Sequence, residues 1–243
     1  MTEPERRHNV KDGVYSALRN SIINLNLAPG TAISEKEISQ KFRVSRTPVR
    51  EAFIHLSKEG LVEVIPQKET LISLIDSARV KQEFFLRESL ETAVLEHFLP
   101  ESGKRYFGEM EDLIVLQGGA LNSKSYVDFI NYDDRFHQIL FEASGQHLSW
   151  EVISNMTGHY HRLRMLTIWI AGIGDEKIAE HRKFFAALKR KDLEKAKSLL
   201  FFHLHNLETE EKLVKKEFPA YFASETIKNT FDVDFGGHPI GKR

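Results

Sequence analysis

The chain has no cysteine in its 243 residues, so disulfides and thiolate metal sites are excluded, which fits a reducing compartment. Long apolar runs are missing too. The most apolar stretch, residues 165–174, is half the about 20 residues that a bilayer-spanning helix requires. No apolar segment precedes the first helical pattern, so neither a signal peptide nor a membrane anchor is expected, and the expected location is the cytoplasm. Net charge is close to absent at −1, which excludes a polycation. Internal repeats and low-complexity tracts are not evident. What remains is an ordinary globular composition, 41% apolar and 28% charged, long enough for one large domain or two modest ones.

Charge is nevertheless unevenly placed. Between residues 36 and 50 the basic residues Lys36, Lys41, Arg43, Arg46 and Arg50 face a single acid, Glu37. The centre of this field is a helix start. Ser45 suits an N-cap, Pro48 is tolerated in a first turn, and Val49, Ala52, Phe53 and Leu56 follow at core-facing spacing. Arg46 and Arg50 share another face with the hydroxyls of Ser45 and Thr47 close by, a set suited to phosphates and guanine edges in a major groove. The same residues also describe a solvated helix with two surface arginines, and both readings stay open at this point.

The surrounding pattern supplies context. Val10, Val14, Ala17, Leu18, Ile22 and Leu25 form one helical face, ended by Ala28, Pro29 and Gly30. Ser34 followed three residues on by Glu37 is a capping box opening a second short helix. Gly60 closes the third, and the β-rich stretches 61–65 and 70–74 flank a turn. Together these predict a winged helix-turn-helix over residues 1–75. Residues 8–75 resemble the DNA-binding domain of the GntR family of bacterial transcription regulators, through Pro29-Gly30, Ser34-Glu35, the run from Val44 to Ala52, Leu56 and Glu59-Gly60-Leu61-Val62. The resemblance implies a reading head of Ser45, Arg46, Thr47 and Arg50, with Lys36 on the backbone or a base edge. The family's wing usually carries an Arg and then a Gly at its tip. Here Gln67 and Glu69 stand there, and a carboxylate beside phosphates opposes minor-groove insertion, which leaves Lys68 for the wing's contact.

From residue 76 the pattern is helical without a convincing strand, predicting an all-α bundle over 76–217 with helices near 76–98, 104–120, 125–143, 148–171, 175–190 and 192–216. Residues 218–243 lack a period and read as an irregular extension. The fold class expected is therefore mainly α, a winged helix-turn-helix followed by a helical bundle. Inside that bundle, Asp133 and His137 share a face with Ile130, Leu140 and Phe141; His181 lies with Ile178, Phe185 and Leu188; His203 lies with Leu193, Ala196, Leu200 and Leu207. A carboxylate and three imidazoles directed inward suit one divalent cation, zinc first, with nickel, manganese or iron as alternatives. Each histidine alone also fits a satisfied core residue, and Asp133–His137 fits a simple i,i+4 pair. Arg87 and Glu91 fall on an inner face with Val80, Phe84, Val94 and Phe98, and His159 in register with Val152, Met156 and Leu163, with Arg162 adjacent.

The segments Asp133-x-x-Phe136-His137, Glu180-His181 and Asp192-x-x-x-Ala196 followed by His203-Leu204 resemble the FCD effector domain of the FadR-like branch of that family, over residues 77–210. The resemblance implies metal ligation by Asp133, His137, His181 and His203, and a small carboxylate sensed beside it. Arg87, Glu91, His159 and Arg162 are the candidate effector contacts, and an organic or sugar acid the expected effector. The whole reading is a homodimeric repressor, not an enzyme, on a roughly palindromic operator. Two rivals remain: a metal-dependent hydrolase of a small anionic substrate, and a metal that only staples the bundle.

Overall fold

The computed structural model describes residues 3–65, 68–98, 104–170 and 172–224. Gln67 and the part of the expected 218–243 extension from residue 225 onward lie outside the described residues. Three helices open the chain: α1 (Glu3–Ile23), α2 (Glu35–Phe42) and α3 (Arg46–Lys58). Val14, Leu18 and Ile22 of α1 are buried against Val49, Ala52, Phe53 and Leu56 of α3, the face that the periodicity predicts. The Ser34 capping box forms, with Ser34 Oγ accepting from Glu37 N and the Glu37 carboxylate accepting from Ser34 N. Arg43 takes the left-handed conformation (φ 54°) that turns the chain into α3.

Strands β2 (Val62–Val64) and β3 (Thr70–Ile72) pair antiparallel as the wing. They are shorter than predicted, and they carry a third strand that periodicity could not signal. This is the two-residue β1 (Ala32–Ile33), antiparallel to β3, giving the order β1-β3-β2.

The described residues beyond the wing are mainly helical: α4 (Ser77–Glu96), α5 (Phe107–Asn122), α6 (Tyr126–Ala143), α7 (His147–Met156), α8 (Gly158–Trp169), α9 (Ile173–Lys189), α10 (Leu193–Leu204) and α11 (Leu207–Glu217). Their apolar faces form a second core around Phe129, Phe136, Leu140, Phe141, Leu163, Leu166, Leu188 and Leu200. Among the described residues no helix is long and apolar enough to cross a membrane.

Two predicted helices are each broken in two. The expected helix 148–171 divides at Thr157, and the expected helix 192–216 divides at His205–Asn206. The first break has a tertiary cause. Glu83, buried on α4, accepts from the backbone N–H groups of His159 and Tyr160, both at 2.8 Å, and so caps α8 from another element. Gly158, at the start of α8, leaves room for Leu61: a Cβ there would stand 2.8 Å from Leu61 Cδ2.

Candidate metal centre and DNA-reading surface

Asp133 and His137 on α6, His181 on α9 and His203 on α10 converge as predicted. One donor atom from each lies within 4.8 Å of all the others, and all four residues are buried. What aims the imidazoles is the far nitrogen of each ring. His137 Nδ1 meets Glu91 Oε2 at 2.6 Å, His181 Nδ1 meets Gln117 Oε1 at 2.9 Å, and His203 Nδ1 meets Glu180 Oε2 at 2.7 Å. Each partner is an oxygen acceptor, so each Nδ1 carries the proton and each Nε2 presents a bare lone pair inward. Outer partners of this kind orient and strengthen imidazole ligands.

His137 Nε2 and His181 Nε2 are 3.3 Å apart, and His181 Nε2 is 3.5 Å from Asp133 Oδ1. Zinc–nitrogen bonds of about 2.0–2.1 Å at tetrahedral angles place neighbouring ligand atoms about 3.3 Å apart. Three lone pairs and a carboxylate facing one another in a dry interior repel without a cation between them. The donor set therefore fits a divalent metal. Burial pushes His181 down to about 3 and His203 well below its ordinary value. Asp133 is held well below the usual carboxylate range; burial raises it, but the guanidinium groups of Arg164 and Arg87 outweigh that.

A small cavity opens beside this cluster, ≈ 30 Å³, lined among others by Arg87, Tyr160, Arg164, Thr167, Lys177 and Glu210. Arg164 donates to Asp133 Oδ2, and to Asp134 Oδ1 at 2.7 Å. The other oxygen of Asp133 thus stays turned towards the imidazoles. Arg87 is buried with Glu91 at 2.5 Å, and burial, which lowers its pKa, is outweighed by Glu91, Tyr160 and the aspartates.

The structure therefore sorts the expected effector residues. Arg87 reaches the cavity. Glu91 is fully buried between Arg87 and His137, where it orients rather than lines; Arg87 and His137 overcome burial and hold it at about 2. His159 and Arg162 do not reach the cavity, a correction to the register argument. They face the winged lobe. Arg162 donates to Ser73 O at 2.6 Å and to His159 Nδ1 at 3.0 Å, while His159 Nε2 bonds Gly60 O at 3.0 Å. Tyr160, Arg164, Lys177 and Glu210 were missed. Only the break at Thr157 sets which face of α8 points inward, and no sequence period carries it.

At the other end, Lys36, Ser45, Arg46, Thr47 and Arg50 are all exposed on α2 and at the start of α3, and Lys68 is exposed at the wing. Ser45 occupies the N-cap position without a side-chain cap bond, which leaves its hydroxyl available. Arg50 is engaged by Glu35 through both carboxylate oxygens, at 2.8 and 2.9 Å, and this pairing lowers the Glu35 carboxyl pKa. Glu69 is exposed beside Lys68.

A winged helix-turn-helix with its third helix bare, carried on an all-helical lobe, defines a DNA-binding transcription regulator. Residues 10–72 match the bacterial regulatory proteins of the gntR family and residues 83–206 match the FCD domain, so the chain belongs to the GntR family in its FCD-bearing form. The family consists of transcription regulators that bind DNA operators, not of enzymes. The chain is 31% identical over 216 residues to the HTH-type transcriptional repressor RspR of Escherichia coli K12, covering 89% of this chain and 95% of that one. It is 34% identical over 225 residues to an uncharacterised HTH-type regulator from an unstable DNA locus of Streptomyces ambofaciens, covering 93% and 94%. The fold matches the solved structure of E. coli McbR/YncC with a TM-score of 0.68 at 18% identity, over 86% of this chain and 98% of that one.

Proposed function

We propose that this regulator is a homodimeric repressor whose operator affinity is set by a small carboxylate held at a divalent metal. Asp133, His137, His181 and His203 would hold the metal, zinc by the nitrogen-rich donor set, and the metal would offer a Lewis-acidic position to an anionic oxygen. Arg87 and Arg164 would take the effector's carboxylate, with Tyr160, Thr167 and Lys177 around it. The observation that carries this reading is the convergence of three imidazole Nε2 atoms, each fixed by an acceptor on its Nδ1. The cavity at ≈ 30 Å³ has room for about one water, so an organic or sugar acid enters only as Arg164 releases Asp133 or Asp134. That displacement gives the bound and free states different contacts, the requirement for an allosteric response.

Residues 1–75 would form the reading domain, 76–217 the sensing domain and 218–243 an extension. On DNA, Arg46 and Arg50 would read base edges with Ser45 and Thr47, while Lys36 and Lys68 would hold phosphates. Arg50 must leave Glu35 to do so. The repressor sense is supported by the name of the E. coli K12 relative. Metal analysis of protein purified without chelator, followed by calorimetry with candidate acids, tests the proposal. About one metal ion per chain and acid binding that disappears with Arg164→Met are expected; a metal-free protein that binds acid equally well refutes it. A purely structural metal is the second reading, favoured by the small cavity. Under it, Asp133→Ala lowers the melting temperature and leaves any acid response intact.

A further inference from the structure

The FCD match ends at residue 206, yet residues 207–224 are built into the fold rather than appended to it. Helix α11 packs on α8 with Val214 fully buried. Near its start, Glu210 reaches back to the sensing cavity and pairs with Lys177 Nζ at 2.8 Å. Lys177 donates to His203 O at 3.1 Å and lies 3.6 Å from Glu180, whose carboxylate holds the His203 ring. Past the helix, Phe218 packs on Trp169 and Tyr221 stacks on Phe218. The chain then meets Ile75. Tyr221 O accepts from Ile75 N at 2.8 Å, and Ala223 N donates to Ile75 O at 3.0 Å, a one-residue parallel bridge with Phe222 buried beneath it. Ile75 lies between the end of the wing at Ile72 and the cap of α4 at Asp76, on the connection between the two lobes.

We propose that residues 207–224 form a strap that couples occupancy of the metal and effector site to the hinge at Ile75. One end touches the cavity through Glu210, the other clamps the interlobe connection through two backbone hydrogen bonds, and a helix anchored by the buried Val214 joins them. A change around His203 moves Glu180 and Lys177, and α11 carries the change about its own length to the hinge. Because the bridge is a single residue long, small displacements of the arm make or break it. The proposal rests on the metal reading above.

The test uses the full chain, with zinc alone as the probe, and reads hydrogen exchange of the Ile75 amide by NMR, with zinc binding measured separately by calorimetry. Zinc is expected to slow Ile75 exchange by about tenfold or more in the wild-type chain. Two variants cut the strap at opposite ends. Glu210→Gln removes the negative charge that pairs with Lys177. Ala223→Pro removes the N–H given to Ile75 O at a position where the preceding residue is already extended. Ala223→Pro is expected to bind zinc as the wild type does; both variants, compared at saturating zinc, are expected to show less than about a twofold slowing at Ile75. Zinc binding without slowing in the wild-type chain, or full slowing in both variants, overturns the strap and leaves the metal centre standing. No zinc binding by calorimetry overturns the metal centre, and the strap loses its trigger with it.

Discussion

Acid should loosen the junction between the two lobes, and His159 sets the size of the effect. Its Nδ1 accepts from Asp76 N at 3.1 Å and from Arg162 Nη2 at 3.0 Å, while its Nε2–H donates to Gly60 O. A second proton would place a donor on Nδ1 against two donors. Burial first, and then the Arg162 charge, push this imidazole down to about 3. A histidine depressed in the folded state binds its proton more tightly when unfolded. It therefore contributes stability above pH 6.5 that is lost as pH falls towards 3. With an unfolded value of about 6.5, the loss between pH 7 and pH 5 is about 2 kcal/mol from this one residue. Urea unfolding at both pH values should show it. His159→Gln offers an amide N–H for Gly60 and an oxygen for Arg162 without a titrating group. The wild-type chain should lose about 2 kcal/mol more than this variant between the two pH values, all other groups cancelling in the difference. A difference below about 0.5 kcal/mol would refute the neutral-histidine account of the seam.

Three further outcomes are expected. Zinc at about 100 times its dissociation constant should stabilise the chelator-treated protein by about 2.7 kcal/mol, about 5–11 °C in a scanning melt of a chain this size; His137→Ala should abolish the shift. Arg46→Ala and Arg50→Ala should each cost about 1–3 kcal/mol of operator discrimination in a fluorescence anisotropy titration, and unchanged selectivity in both removes the reading-head assignment. Gly158→Ala would push a methyl group to 2.8 Å from Leu61 Cδ2 at the lobe junction. A net loss of about 1 kcal/mol or more in urea unfolding is expected, even after the better helix propensity of alanine is counted.

The residues themselves determined the reading helix, the capping box and the Asp/His constellation. These are short-range matters. A cap needs four consecutive residues, and each ligand sits at fixed helical spacing from the apolar residues that bury it, so Asp133, His137, His181 and His203 had to point into the core once their helices packed. The orientation of α8 is a different case. Treating 148–171 as one helix put His159 in phase with Val152, Met156 and Leu163, yet Met156 is 57% exposed. The break at Thr157 resets the phase, so Tyr160 and Arg164 face the cavity while His159 and Arg162 face the wing. That break is held by Glu83, which caps α8 from another helix, and Gly158 beside it leaves room for Leu61. The clamp of Tyr221 and Ala223 on Ile75 is likewise a backbone pairing between distant segments, blind to side-chain identity. Local periodicity marks the inward face of a helix as long as that helix runs unbroken; only the packed chain decides where it breaks and what each residue faces, because the partners that break a helix or bridge a hinge lie far away along the sequence.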